Sequence, residues 1–561
     1  MRDRAIFPEH AFYLIADLLQ HFLGRDGDKA PEALLARLER RLELAGLKPV
    51  DAIPLIAPLL NLPLLAKYPP SPLPPEQQRR RLLATLVECV LGAARVQPLI
   101  IATEDLHWAD SSTLELIRLL VEQGATARLL LLYTARPEFS TQWPLRRAHH
   151  TQITLNRLSV RNVRTMVGQL AAHKPLSDET LATVVERAGG VPLFVEELTR
   201  SLLESGDGRP TGREIPVTLL DLLVARLDRL GSAKEVAQVG AVIGSEFSYE
   251  LLHAVHPVAE EDLQHALRSL ADAELVHVRG LAPDATYQFR HADIRDAAYE
   301  ALLKSRRKDL HRLVATTIDE RFPALKEARA EVLARHWSEA GETEAAIAAW
   351  INAGRAAESR NAFKEALESY QRAMALLNTL PEAPQRGHRE LHLRLLIVRV
   401  LQKTKGWAAP ETIEATDRAA ALAEKSGNLT QLGNWIGARS LSAWSSGEFP
   451  TALALADRAL ELQVRQGSPT GIAYAHMLEV MIRYSLGDFA GAQQYFTAGQ
   501  PFFDGPFFRQ DPFGTVVSAY AYGTLTAWML GHADAARGAA GEAGGRHGQW
   551  QSARSDSCKD T

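Results

Sequence analysis

The sequence predicts an α/β domain followed by helical domains, and three features of its 561 residues indicate this. Two short, continuous apolar runs flank an amphipathic helix between residues 98 and 135. That pattern is typical of a parallel βαβ unit whose strands are buried on both faces. A pair of hairpin-like segments follows near residue 280, and from about residue 340 glycine and alanine recur at regular spacing in a helical sequence. The last pattern indicates stacked helical repeats.

Length and composition limit the class of protein. A chain of this length exceeds one compact core, so we expect roughly three to four domains. A hydrophobic content of 46% with 23% charged residues is ordinary for globular protein and excludes wholesale disorder and collagen-like structure. The net charge of -4 provides no general basic field, so we expect no direct binding to nucleic acid.

The cysteines and the apolar runs indicate the cellular location and exclude some kinds of structural site. Cys89 and Cys558 lie far apart without histidine partners, which excludes a disulfide scaffold and a structural zinc site. Cys89 lies on an apolar helix face and is predicted to be a core residue. No signal-peptide pattern begins the sequence, and no apolar run reaches the roughly 20 residues that a spanning helix needs. We therefore predict a cytoplasmic protein without membrane association.

The pattern along the chain predicts five regions. They are 1–90 (helical), 91–206 (the α/β core), 217–325 (helices with a hairpin), 330–545 (helical repeats) and 546–561 (an irregular tail). Within the core, PLIIATED and RLLLLYTA are the predicted strands, and DSSTLELIRLLVEQG between them is the predicted helix. Ser112 and Glu115 predict a capping box at its start, with Asp110 just before them. TQITL, from Thr151, is a third predicted strand.

The third and fourth regions are predicted from a hairpin and from a repeat. ELVHVRG and LAPDATYQFRH, at 274–291, predict a small β-hairpin attached to a helical bundle, which is the outline of a winged-helix domain. In the fourth region Gly447, Gly487 and Gly531 lie 40 and 44 residues apart, and each is followed five residues later by alanine. Upstream, Trp350, Gly354, Ala366, Tyr370 and Ala373 occupy positions of the tetratricopeptide (TPR) pattern. We therefore predict TPR-like helical pairs whose small residues allow close helix packing.

Two acids follow the first predicted strand. Glu104 and Asp105 would lie at the carboxyl edge of a parallel sheet, where open α/β folds bind ligands. Carboxylates in this position are suited to holding Mg²⁺ or orienting a water molecule. The alternative is that the two acids simply end the strand and face solvent.

Several segments resemble one family in the expected order. EDLHWADSSTLELI, LLLLYTARPEF, AGGVPLFVEEL and YQFRHADIRDAAYEALL resemble the Walker B, sensor, GxP and winged-helix segments of the STAND class of signalling ATPases. The chain is similar in particular to bacterial AAA-type predicted ATPases with TPR-like repeats that are fused to adenylate/guanylate cyclase or LuxR-type domains. The resemblance covers about residues 5–540.

The resemblance implies a fold, a cofactor and a set of site residues. The fold would be an incomplete α/β P-loop NTPase-like core with a helical insert at 1–90, a winged-helix-like domain and an all-α TPR-like solenoid. The cofactor would be ATP or ADP with Mg²⁺. Glu104 and Asp105 would be catalytic and hold the metal, and Arg136 would act on the γ-phosphate. The implied nucleotide-binding residues are Gly190 and Pro192 near the base and His291 near the β-phosphate.

Each of these residues also has a purely structural interpretation. Arg136 could pair with Glu138 on the surface, and Gly190 with Pro192 could form an ordinary helix stop and turn. His291 could be a histidine satisfied under the hairpin, and Ala292 departs from the acid that often follows this histidine in related families. His107 and Trp108 are predicted to pack and to shape the loop.

A P-loop is missing from the 561 residues. The pattern GxxxxGK followed by Ser or Thr surrounds the β-phosphate in such ATPases, and no Gly-Lys pair occurs anywhere in the sequence. Two explanations remain open: a fragment truncated at its amino end, or a degenerate ATPase that kept its scaffold. In either case we expect little ATP hydrolysis by this chain alone, and an unpaired edge on its sheet.

The function implied is a regulatory switch. ATP or ADP occupancy would rearrange the core and the winged-helix-like domain, and the solenoid would bind a protein or small-molecule inducer, with nucleotide-dependent oligomerisation as a possible output. Two alternatives are a non-enzymatic TPR scaffold with a relic core and the regulatory half of a LuxR-type transcription activator.

Overall fold

The chain divides into two compact units. A computed structural model describes residues 13–23, 31–60, 62–71, 73–140, 143, 149–172, 176–204, 218–425, 427–503 and 514–541. One unit comprises 1–15 with 97–353, and the other comprises 16–96 with 354–561. The described residues are mostly helical.

The helices and strands have the following bounds. In chain order the helices are α1 Tyr13–Leu23, α2 Pro31–Leu44, α3 Pro49–Ile56, α4 Pro75–Val96, α5 Ser111–Gln123, α6 Val160–Leu170, α7 Asp178–Ala188, α8 Pro192–Glu204, α9 Leu219–Asp228, α10 Ser232–Ile243, α11 Tyr249–Val255, α12 Glu260–Asp272, α13 Ala292–Glu300, α14 Lys304–Arg321, α15 Pro323–Ala328, α16 Ala330–Ala340, α17 Thr343–Ser359, α18 Phe363–Leu377, α19 Pro384–Thr404, α20 Pro410–Lys425, α21 Leu429–Ser445, α22 Phe449–Gln466, α23 Pro469–Ser485, α24 Phe489–Phe503 and α25 Thr515–Met529. Residues 533–541 are also helical. The strands are β1 Leu99–Thr103, β2 Leu129–Tyr133, β3 Glu246–Ser248, β4 Val276–Arg279 and β5 Thr286–Phe289. Short 3-10 turns cover Ala57–Leu60 and Leu106–Trp108.

The predicted βαβ unit is confirmed. Strands β1 and β2 pair in parallel, from Leu99 opposite Leu129 to Thr103 opposite Tyr133, and α5 lies between them in the chain. The expectation that both faces are buried is wrong, because alternate residues are exposed. Ile100, Leu130 and Leu132 are 67%, 55% and 58% exposed on one face. The opposite face packs in a small core formed by β2, α5 and the loops that follow the two strands, with members Leu106, Val121, Trp143, Leu114, Ile117, Leu131 and Tyr133.

Two local predictions in this region are corrected. The side chain of Asp110, rather than that of Ser112, caps α5: it accepts a hydrogen bond from the backbone N–H of Thr113. The segment from Thr151 is not a strand. Residues 151–155 are exposed, and the chain then leads to Leu158, whose N–H donates to the carbonyl of Gly190 at 2.7 Å in the α7–α8 turn.

The hairpin of the third region is confirmed. Strands β4 and β5 are antiparallel, and β3, which the sequence did not predict, adds to the other side of β5. This sheet packs in one extensive core with helices α9–α14 and α16. The sheet and helices form a helix–hairpin bundle, the name used below for residues 219–340.

The repeats of the second unit are confirmed by their turns. Gly447, Gly487 and Gly531 have φ values of 80°, 79° and 79°, which only glycine adopts without strain. Each N–H donates to the carbonyl three residues earlier, and each following N–H reaches five residues back. The alanines that follow, Ala452, Ala492 and Ala536, are all buried. Helices α21–α25 therefore repeat one helix–turn–helix unit.

Small residues permit close packing, as predicted. A Cβ atom on Gly354 would lie 2.3 Å from the ring of Tyr370, so any larger residue would displace that ring. Cys89 is also in the core, as predicted, and burial raises the pKa of its thiol to about 11. Within the part of the chain that the structure describes, no helix is long and apolar enough to cross a membrane.

Candidate functional site

The candidate site lies at the carboxyl ends of β1 and β2. Asp105 has a left-handed backbone, with φ of 52°, and its N–H donates to the hydroxyl of Thr134 at 2.9 Å. The next N–H, of Leu106, donates to the carbonyl of Thr134 at 2.8 Å. These bonds tie together the two strand ends that carry the predicted acids and Arg136.

The two carboxylates are accessible. Glu104 is exposed, and the side chain of Asp105 is 47% exposed. Within the described ranges neither forms an ion pair with lysine or arginine. The charged or chargeable neighbour of Asp105 is His107, whose Nδ1 lies 4.0 Å from its Oδ1. Open carboxylate oxygens at a strand end fit the preference of Mg²⁺ for oxygen ligands and for retained water.

Arg136 contacts an aromatic ring rather than an acid. Its guanidinium carbon lies 5.5 Å from the ring centroid of Trp108, which is a cation–π contact. No ion pair joins it to Glu138 in the described structure, so the surface-pair interpretation does not hold. The positive group therefore remains available beside the acids.

His107, which the sequence predicts to pack and to shape the loop, also lies beside the predicted acid Asp105. Its side chain is 10% exposed, and neither ring nitrogen has a hydrogen-bond partner. Its ring centroid lies 4.6 Å from that of Trp108. Burial lowers the pKa of His107, Asp105 opposes this, and Arg136 adds to the lowering.

His291, like Arg136, lies close enough to Asp293 to influence its pKa. It precedes α13 as an exposed residue whose side chain makes no capping bond. Two residues later, neighbouring protein atoms desolvate Asp293 and raise its pKa although its surface is exposed. Asp296 raises that pKa further, while the charges of Arg136 and His291 lower it. The charges of Arg136 and His291 thus both act on Asp293. The sequence analysis did not predict Asp293 as a site residue.

Gly190 and Pro192 lie in a different place, the turn between α7 and α8. Gly190 has φ of 76°, and a Cβ atom there would lie 2.4 Å from the carbonyl oxygen of Leu158. Pro192 is the first residue of α8. In this structure Gly190 follows the end of α7 and Pro192 begins α8, which is the structural interpretation of the motif.

An ion-pair network joins α8 to the bundle. Arg200 bonds Glu196 at 2.9 Å and Glu274 at 2.7 Å. Arg290 pairs with Glu274 and lies 3.8 Å from Glu196. Bonds from both arginines lower the pKa of Glu274. Arg290 immediately precedes His291, the predicted phosphate contact. These ion pairs therefore connect helix α8 to the backbone next to His291.

The family comparison decides the class of this region. Residues 4–132 match the AAA ATPase domain family. The matched segment is similar to an AAA ATPase domain. The match includes Glu104 and Asp105, and it confirms the resemblance to AAA-type signalling ATPases that the motifs indicate.

One curated relative shares about half of the chain. It is an uncharacterised protein of Rhizobium meliloti, 28% identical over 323 residues, which are 55% of this chain and 31% of that protein. The chain therefore spans about a third of the length of the curated relative that it matches.

Two solved structures are weakly similar to this chain. A STAND protein with a tetratricopeptide repeat sensor from Pyrococcus horikoshii is 10% identical, covering 93% of this chain and 88% of its own, with a TM-score of 0.33. Aspartyl phosphate phosphatase F from Bacillus subtilis is also 10% identical, covering 71% and 97%, with a TM-score of 0.30. Scores of this size do not establish a common overall arrangement.

Proposed function

We propose that this chain is the Walker B part of a multidomain signal-transduction ATPase that switches with ATP or ADP occupancy. The observation that supports this most is the convergence of Asp105 and Arg136 at the carboxyl ends of two parallel strands, within and just after the AAA match. Ligands of open α/β folds bind at such an edge.

Each charged group of the site has a proposed task. Glu104 and Asp105 offer the oxygens that would hold Mg²⁺ and orient the attacking water. Arg136 offers a planar cation suited to the γ-phosphate. Bound Mg²⁺ would neutralise charge on the phosphates. The exposed carboxylates and the absence of an Arg136–Glu138 pair support this assignment, because these groups are open to a ligand.

The nucleotide-dependent movement is proposed for the winged-helix-like bundle. His291 would contact the β-phosphate, and Asp293 would compete with phosphate for the charge of Arg136. Gly190 and Pro192 would lie against the base, and the ion pairs from Glu196 to Arg290 would transmit movement of α8 to the bundle. The shared influence of Arg136 and His291 on Asp293 supports their proximity.

The phosphate loop is proposed to come from outside these 561 residues. No Gly-Lys pair occurs in the sequence, so the lysine and most backbone contacts to phosphate have no source here. The chain alone should therefore hydrolyse ATP poorly. A longer product would have the full activity and the cyclase or LuxR-type output that the resemblance implies.

The helical repeats are proposed to bind the signal. Stacked TPR-like pairs form extended surfaces that take a protein or small-molecule inducer, and the repeated turns of α21–α25 support this role. If the core proved to be inert, the repeats alone would make the chain an interaction scaffold.

The test is ATP turnover of the longer product. Asp105→Asn should lower kcat on the order of 100-fold, since it removes a charge needed at the metal and water. Asp110→Asn is the matched control, because Asp110 lies five residues away, caps α5, and keeps an acceptor as asparagine. Unchanged turnover with Asp105→Asn would refute the Walker B assignment.

A further inference from the structure

The 3-10 turn Leu106–Trp108 is firmly anchored beside the candidate site. Leu106 is fully buried, and its N–H donates to Thr134. The N–H of Trp108 donates to the carbonyl of Asp105 at 2.9 Å. The backbone under His107 and Trp108 is thus fixed to both strand ends, so their side chains are held next to the charged groups.

The indole of Trp108 is the contact that the structure gives Arg136. A long, exposed arginine loses considerable rotamer freedom when it is confined. A cation–π contact at an exposed site contributes about 0.5–1 kcal/mol, enough to favour one orientation. The position of the guanidinium therefore depends on the presence of an aromatic ring at residue 108.

The imidazole of His107 is poised towards Asp105. Its two nitrogens are buried without partners, and a buried polar group left unpaired destabilises the fold. The Asp105 oxygen at 4.0 Å is just beyond hydrogen-bond distance. A modest rotation of either side chain would close the gap and give Nδ1 a hydrogen-bond partner.

We propose that His107 and Trp108 are positioning residues: the imidazole orients the carboxylate of Asp105, and the indole holds the guanidinium of Arg136. The two rings touch each other, so they form a bridge between the acid and the arginine. This inference rests on the proposed function for the meaning of the two charged groups, but the bridge itself can be tested without nucleotide.

The first test measures the reactivity of Arg136 towards methylglyoxal in the purified 561-residue chain, by peptide mass spectrometry. Trp108→Leu should raise the labelling rate of Arg136 about two- to fivefold, as expected for loss of a contact of this strength. Trp108→Phe should restore most of the protection. Arg118, which pairs with Glu122 on the neighbouring helix α5, is the internal control for local folding. Equal rates in all three proteins, with Arg118 unchanged, would overturn the role of Trp108.

The second test reads the tautomer of His107 by ¹⁵N NMR of histidine-labelled chain, with His107→Asn identifying its signals. A bond to Asp105 requires the proton on Nδ1. We expect the Nδ1–H tautomer in the parent chain and a shift towards Nε2–H in Asp105→Ala, with a smaller shift in Asp110→Asn. A tautomer that is unaffected by Asp105→Ala would overturn the role of His107.

The two proposals fail in distinguishable ways. If the Arg136 labelling and the His107 tautomer both behave as expected while Asp105→Asn leaves ATP turnover unchanged, the positioning roles of His107 and Trp108 are supported and the ATPase assignment is refuted. If turnover depends on Asp105 while neither ring measurement responds, the ATPase assignment stands and the bridge falls.

Discussion

The two-stranded sheet and the helix–hairpin bundle belong to the same compact unit, yet their apolar residues are buried to very different extents. In the bundle, Val242, Leu252 and Leu263 are fully buried. In the sheet, Ile100 is two-thirds exposed although it lies in an equally apolar run. The apolar residues of the sheet that carries the predicted acids are therefore less well covered by the described residues than those of the bundle.

This difference is informative because parallel sheets are normally covered on both faces. Among the residues that the structure describes, the packed core of this sheet lies on the face towards α5. We infer that the exposed face of β1 and β2 is where further polypeptide of the ATPase domain would add. The exposure of this face and the lack of a GxxxxGK phosphate-binding pattern in the 561 residues both agree with the proposal of a longer ATPase.

The largest effect should come from the core of the bundle. Leu263→Ala removes a fully buried side chain and should cost about 2–5 kcal/mol of unfolding free energy, because a cavity remains. Hydrogen exchange of peptides from α12 in increasing urea would measure it. Leu263→Met keeps the volume and should cost less than about 1.5 kcal/mol. Equal losses for the two variants would contradict the packing described.

A smaller effect on the free energy of unfolding of the same bundle should come from a change of pH. Nδ1 of His311 lies 2.8 Å from Nδ1 of His336, both buried. Burial, then the charges of Arg335 and Arg307, lower the pKa of His311 to about 4, and the pKa of His336 is lowered also. The unfolded chain, with histidine pKa of about 6.5, binds protons first as pH falls. Stability is therefore full above about pH 6.5 and declines towards pH 4.

We expect the bundle to lose about 2 kcal/mol between pH 7 and pH 5 from His311. Hydrogen exchange of α14 peptides at the two pH values would measure this, after correction for the intrinsic exchange rate. His311→Asn should reduce the dependence by the part due to His311 and leave the part due to His336, whereas exposed His253→Asn should leave it unchanged. A dependence that is not reduced in His311→Asn would show that other groups cause it.

The smallest effect on stability should come from the exposed sheet face. Leu130→Lys should change the free energy of unfolding by no more than about 0.5 kcal/mol, while lowering self-association measured by light scattering, because an exposed apolar patch is removed. Leu131→Lys is the matched control: it faces the core shared with α5 and should disrupt the sheet. Equal tolerance of both substitutions would contradict the alternation of faces.

The comparison also shows what the sequence can reveal. The turns at Gly447 and Gly487 were predictable, since positive φ demands glycine and the spacing repeats. The strand pair with Asp105 at its end was predictable from its apolar runs. The exposure of Leu130 was not, because an apolar residue does not encode whether another layer covers it. The positions of His107 and Trp108 around Arg136 depend on contacts between two strand ends, which no local pattern expresses.

The central claim is that these residues are the Walker B part of an ATPase whose phosphate loop lies elsewhere. It is tested most directly by calorimetry of Mg-ATP and Mg-ADP binding to the 561-residue chain and to the product extended by the upstream reading frame. We expect little binding by the chain alone, and tight binding by an extended product that contains GxxxxGK, weakened or altered by Asp105→Asn. Micromolar binding by the chain alone, with no such loop encoded upstream and no response to Asp105→Asn, would contradict the claim.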